Sequence, residues 1–131
     1  MPTIEQIMNY LSYLGTGLML LGLFCYIYTF CTPIREWTLI RQGNGAAACS
    51  MGGAVLGFSL TLAACFASHA SLPAATFWSL CAMVIQLLAY FSVTRIIKNA
   101  SAMIESHNTA VGALFGFISF SIGLINAACL L

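Results

Sequence analysis

The chain has 131 residues, of which 61% are hydrophobic and only 5% charged. Soluble domains carry roughly a quarter of their residues as charges, so this composition excludes a water-soluble globular fold. The net charge of +1, with no basic stripe, gives no footprint for nucleic acid.

The seven charges are Glu5, then Arg35, Glu36 and Arg41, then Arg95, Lys98 and Glu105, leaving uncharged stretches at 6–34, 42–94 and 106–131. A membrane-spanning helix needs about 20 apolar residues. The first stretch predicts a span at 8–31, and no basic residue precedes it as a signal peptide would require. In the following loop Ile34, Trp37 and Ile40 recur on one side, opposite Arg35, Glu36, Thr38 and Arg41. Such a segment either lies in the headgroup layer with its apolar side down or finishes a helix end with Trp37 as an interfacial anchor. We favour the second.

The middle stretch holds two spans, 45–67 and 74–95, divided by Ser68, His69 and Pro73 in a turn. Asn44 is placed to cap the first of them. Small residues follow at helical spacing, Ala48/Gly52 and Gly53/Gly57, which lets helix backbones approach closely in lipid. Gln86 is the most polar group of the third span. The loop 96–107 again has an apolar side (Ile96, Ile97, Ala100, Met103, Ile104) against Lys98, Asn99, Ser101 and Glu105. Asn108 then caps a fourth span at 108–131, which carries the Gly112/Gly116 pair and Asn126. A β-barrel would need alternating polar and apolar residues, and runs such as Leu18-Met19-Leu20-Leu21 contradict it.

Setting 40–67 over 104–131 without a gap gives eight identities in 28 positions, among them Asn44/Asn108, Gly52/Gly116 and Cys65/Cys129. The expected architecture is therefore an all-α membrane domain of four spans. They form two tandem hairpins, 8–67 and 74–131, with parallel repeats related by pseudo-twofold symmetry. All four Lys and Arg residues fall in the loops 32–44 and 96–107. The positive-inside rule puts those loops in the cytoplasm and both termini in the periplasm. Four spans are few for enclosing a pathway, so a homo-oligomer is expected.

Candidate chemistry is sparse. The six cysteines form no Cys-x-x-Cys pair and no zinc-site spacing with His69 or His107. Cys65 and Cys129 are repeat mates that a symmetric fold could bring together, though disulfide geometry is demanding. No Asp, Glu or Lys and no Arg short of the terminal Arg95 is expected within a span, which weighs against a proton pump. There is no triad, carboxylate pair, phosphate loop or cofactor motif, so neither an enzyme nor a cofactor is expected. Two readings remain. One is a non-enzymatic component whose loop residues Arg35, Glu36, Trp37, Arg41, Arg95 and Lys98 contact a cytoplasmic partner or anionic lipid. The alternative is a small channel or passive transporter with Ser59, Ser119, Ser121 and Asn126 along its path, where Gln86 and Asn126 are the leading intramembrane polar groups.

The segment 32–48, with its Glu36-Trp37 and Gly43-Asn44-Gly45-Ala46-Ala47, resembles the signature of the YjfL-like bacterial inner-membrane proteins, the domain-of-unknown-function 350 family. The likeness continues through Leu56-Gly57-Phe58, Val84-Ile85-Gln86-Leu87, the segment 108–112 and the closing Asn126-Ala127-Ala128-Cys129. Thr61 stands where the family pattern has Pro, and the loop after Arg95 lacks another. The resemblance implies a small plasma-membrane protein of two hairpins, with envelope stress as a setting, and supplies no reaction.

Overall fold

The computed structural model describes residues 1–31, 36–69, 71–97 and 99–131. Among them are six helices: α1 (Ile4–Cys31), α2 (Glu36–Arg41), α3 (Gly45–Ser68), α4 (Leu72–Ile96), α5 (Ala100–Glu105) and α6 (Thr109–Leu130). The four long ones have 28, 24, 25 and 22 residues and are apolar enough to cross a membrane. At about 1.5 Å per residue even the shortest covers a hydrocarbon core of about 30 Å. The fold is an all-helical, multi-spanning membrane domain.

Local chemistry sets the helix ends. α1 begins four residues before the expected start of its span. There the Thr3 hydroxyl accepts from the Gln6 N–H and the Gln6 side chain accepts from the Thr3 N–H, a reciprocal capping box. α4 starts behind Ser71, whose hydroxyl accepts from the Ala74 N–H, with Pro73 in the first turn where its missing N–H costs nothing. The loop segments do not simply finish the long helices, because α2 and α5 are separate short helices.

Both short helices end in the same turn. Gly43 (φ 84°) and His107 (φ 65°) occupy the left-handed region. The N–H of Asn44 bonds to Leu39 O at 2.9 Å and that of Asn108 to Met103 O at 2.9 Å. Each Asn then accepts at its side chain from the backbone N–H three residues on, Ala47 and Val111. These bonds recur at a spacing of 64 residues.

The core is built on α3 and α6, which run parallel. Gly112 lies on Ala46, Gly116 on Cys49 and Gly53, and Gly123 on Gly57. A Cβ added at Gly53, Gly112, Gly116 or Gly123 would run into the backbone of the opposing helix. Such close approach maximises dispersion contact, the principal source of helix association where water supplies no hydrophobic drive. The Thr61 hydroxyl closes the far end by bonding to Gly123 O across the pair at 3.0 Å. α1 is peripheral and buries only Leu20, Phe24 and Tyr28, one per turn along a single stripe. Phe24 stacks on Phe58 at 4.6 Å between ring centroids. The large apolar side chains left outside, such as Leu18, Leu56, Val84 and Phe117, suit a surface solvated by lipid.

A buried polar junction at the loop end

Glu36 opens α2 and is 1% exposed. The expected polar side of this segment is corrected here. Glu36 turns inward with Leu39 and Ile40, whereas Trp37 is exposed. The competing pattern Ile34–Trp37–Ile40 involves Ile34, which lies outside the described residues. With spacing i, i+3 and i+4, one acid and two aliphatic residues share the buried face, and the acid is drawn in by what the long helices place beneath it.

Those groups are hydroxyls. Tyr28 comes from the last turns of α1, Ser50 from the first turns of α3 and Tyr90 from late in α4, and each is at most 5% exposed. The Tyr28 and Ser50 hydroxyl oxygens are 3.5 Å apart, and the Tyr28 and Tyr90 rings lie 4.7 Å apart. Phe115 of α6 closes the floor against Tyr90, 6.1 Å between centroids. Neither carboxylate oxygen of Glu36 has a hydrogen-bond partner among the described residues. Burial pushes its carboxyl up from an ordinary 4.5 to about 8, and the nearby Tyr28 hydroxyl offsets this only in part. The group is then mostly neutral at pH 7.

Asn44 forms one wall of the same end. Besides capping α3, it donates from Nδ2 to Ile104 O at 2.7 Å and is 1% exposed. This bond joins the end of the first loop to α5, so both loops lie at one end of the bundle. Among the described residues the side chain of its counterpart Asn108 makes the cap and no second bond, and it is exposed.

The family-model comparison places the whole chain. The model described as Domain of Unknown Function (DUF350) matches residues 2–130. The chain belongs to the DUF350 family. It is 32% identical over 130 residues to the UPF0719 inner membrane protein YjfL of Escherichia coli strain K12, covering 99% of this chain and 98% of that one. The likeness to the protein of the same name from Escherichia coli O157:H7 is the same. No solved structure matches. Within DUF350 this chain is accordingly a multi-pass inner-membrane protein, and neither the family's description nor the relatives' name carries a reaction.

The remaining residues singled out in this DUF350 chain are dispersed. Arg41 and Arg95 are exposed at the loop end, while Arg35 and Lys98 lie outside the described residues. Gln86 is buried and donates from Nε2 to Ser119 O on α6 at 2.9 Å, its own Oε1 having no partner among the described residues. Asn126 is half-buried and donates to Ala82 O on α4 at 3.3 Å. Both amides thus tie α4 to α6. Ser121 faces outward and bonds to its own helix at Phe117 O. Ser59 does the same at Val55 O and is half-buried. Gly57 packs against α6 and Gln86, whereas a Cβ at Gly52 would meet nothing. All six cysteines are free; Cys65 is buried and Cys129 exposed.

Reading the residues one by one misses Tyr28, Ser50 and Tyr90. Each has an ordinary place in an apolar helix, and only their convergence from three helices makes them a group. A signal does exist: Glu36 stands beside a span end that carries Tyr28 two turns earlier.

Proposed function

We propose that this protein is a non-enzymatic, self-associating component of the bacterial plasma membrane whose basic end engages anionic lipid on the cytoplasmic side. The observation that carries the reading is the clustering at one end of the bundle of exposed Arg41 and Arg95 with exposed Trp37 and Ile96. The Asn44–Ile104 bond holds the two loops together there. Basic residues near an anionic surface contribute about 1 kcal/mol each, and Trp favours the interface. The confinement of Lys and Arg to these loops supports the cytoplasmic assignment, with both termini periplasmic. The 64-residue spacing of the loop-end hydrogen bonds supports two tandem hairpins related by pseudo-twofold symmetry. Self-association is supported by an apolar groove of about 450 Å³ on the lipid side of α3 and α6, lined by Cys49, Gly52, Gly53, Ala113, Gly116 and Phe117 among others. Envelope stress, the setting the family resemblance implies, is taken as the context of this role.

Lipid competition in nanodiscs tests the reading. Wild type is expected to bind phosphatidylglycerol in preference to phosphatidylethanolamine. Arg41→Gln with Arg95→Gln is expected to weaken that preference about tenfold or more. An unchanged preference overturns it. A soluble protein that co-purifies with wild type but not with this variant, lipid preference being equal, favours a protein partner instead.

A further inference from the structure

A carboxylate withdrawn from water without a compensating cation is expensive, and among the described residues no cation reaches Glu36. Its surroundings are three uncharged hydroxyls, one from each of α1, α3 and α4, with aromatic rings beyond them. Among the described residues the titratable groups facing it are Tyr28 from α1 and Tyr90 from α4; α3 contributes Ser50, bonded to Tyr28. Among the described residues no ion pair reaches it, and Arg41, the other charge of α2, is exposed. A metal cation would need several more oxygen ligands than one carboxylate and crowded phenol and serine hydroxyls provide. A proton needs only the carboxylate.

We infer that Glu36, buried beside the hydroxyl cluster of Tyr28, Ser50 and Tyr90 at the junction of α1, α3 and α4, is a proton-binding site whose occupancy controls the docking of α2 on the bundle. With the proton bound, Glu36 is a neutral acid and α2 stays seated. With the proton released to bulk water, the carboxylate is drawn toward solvent, and α2, only six residues long and carrying exposed Trp37 and Arg41, is the element that gives way. The direction follows from linkage. The docked carboxyl titrates at about 8 and the solvated one at 4.5, so the docked state holds more protons between those values. Docking is therefore strongest below about pH 4.5, weakens by up to about tenfold per pH unit as pH rises through this window, and levels off above 8. The site stands on its own geometry and does not depend on the lipid reading.

The experiment uses the full chain in nanodiscs and follows the C=O band of the protonated carboxyl by infrared difference spectroscopy during a pH titration. Wild type is expected to show a protonated-carboxyl band that disappears with a midpoint above 4.5 and no higher than about 8, lower the more completely α2 leaves the bundle, and Glu36→Gln is expected to lack it. In a Trp78→Phe background, Trp37 fluorescence is expected to shift with the same midpoint, and to be independent of pH once Glu36→Gln is added. Tyr28→Phe, which removes a hydroxyl that favours the ionised form, is expected to move the midpoint upward. Should Glu36→Gln fail to fold, the wild-type midpoint and its displacement in Tyr28→Phe decide the matter. A wild-type midpoint at or below 4.5, as an ion pair from Arg35 would produce, overturns the site. A midpoint that falls about one unit per tenfold rise in sodium overturns the proton as its ligand. Matching infrared midpoints with a Trp37 signal indifferent to pH overturn the coupling to α2.

Discussion

Asn44 and Asn108 occupy equivalent places in the sequence and cap equivalent helices, yet their surroundings differ. Asn44 is buried and its Nδ2 donates to Ile104 O, while Asn108 is exposed and makes the cap alone. Losing a cap costs about 1 kcal/mol, and losing the Asn44–Ile104 bond costs about 0.5–1.5 kcal/mol more, because Ile104 O keeps the His107 N–H as a donor. Asn44→Ala is therefore expected to lower stability by about 1.5–2.5 kcal/mol and Asn108→Ala by no more than about 1 kcal/mol. Thermal unfolding of both variants in one detergent checks the difference, and equal losses would show that the Asn44–Ile104 bond contributes nothing. Glu36 belongs to the same scale: its unusual proton affinity arises from burial, not from the residue type.

At the scale of elements, the parallel pair α3–α6 is held by backbone contact, and the glycines on it are not interchangeable. A Cβ at Gly123 would strike the Gly57 backbone, which has no flexible end to move aside, whereas one at Gly52 meets open space. Gly123→Ala is expected to destabilise by about 1–3 kcal/mol or more through overpacking. Gly52→Ala is expected to be neutral or to stabilise by up to about 1 kcal/mol, the ordinary helix preference for Ala. Melting temperatures that move in opposite directions would bear this out; a loss at Gly52 as large as that at Gly123 would not. α1 depends on three buried side chains, and its stripe ends on Tyr28, so the weakest-packed long helix also carries part of the polar junction.

For the whole molecule, orientation and association are the open quantities. In a chain stripped of its native cysteines, Thr38→Cys is expected to react with a membrane-impermeant maleimide only from the cytoplasmic side, and Ser71→Cys only from the periplasmic side. Labelling with the opposite sidedness reverses the topology. A chain retaining Cys49 alone is expected to form a disulfide-linked dimer under mild oxidation, because Cys49 is exposed on the lipid-side groove of α3 and α6. A chain that stays monomeric at every oxidant concentration removes that groove as a subunit contact.

The spans were legible in the sequence because a membrane imposes one simple demand, about 20 consecutive apolar residues with charges at the ends. The helices at 4–31, 45–68, 72–96 and 109–130 meet it within a few residues of where the charges and the 68–73 turn put them. The family too was readable, from Glu36-Trp37, Gly43-Asn44 and Asn126-Ala127-Ala128-Cys129. The polar junction was not, because it is a property of distance between α1, α3 and α4 and no single segment encodes it. Periodicity assigned Glu36 to the outer side of its loop, since an acid is normally cheaper in water. Only packing reveals that α2 folds back over three hydroxyls and carries that acid inside. The number of membrane crossings is written in the order of apolar runs and charges along the chain. The tertiary structure alone decided that an ionisable group from outside the spans is buried in their core, because burial is set by what surrounds a residue and not by its neighbours in the chain.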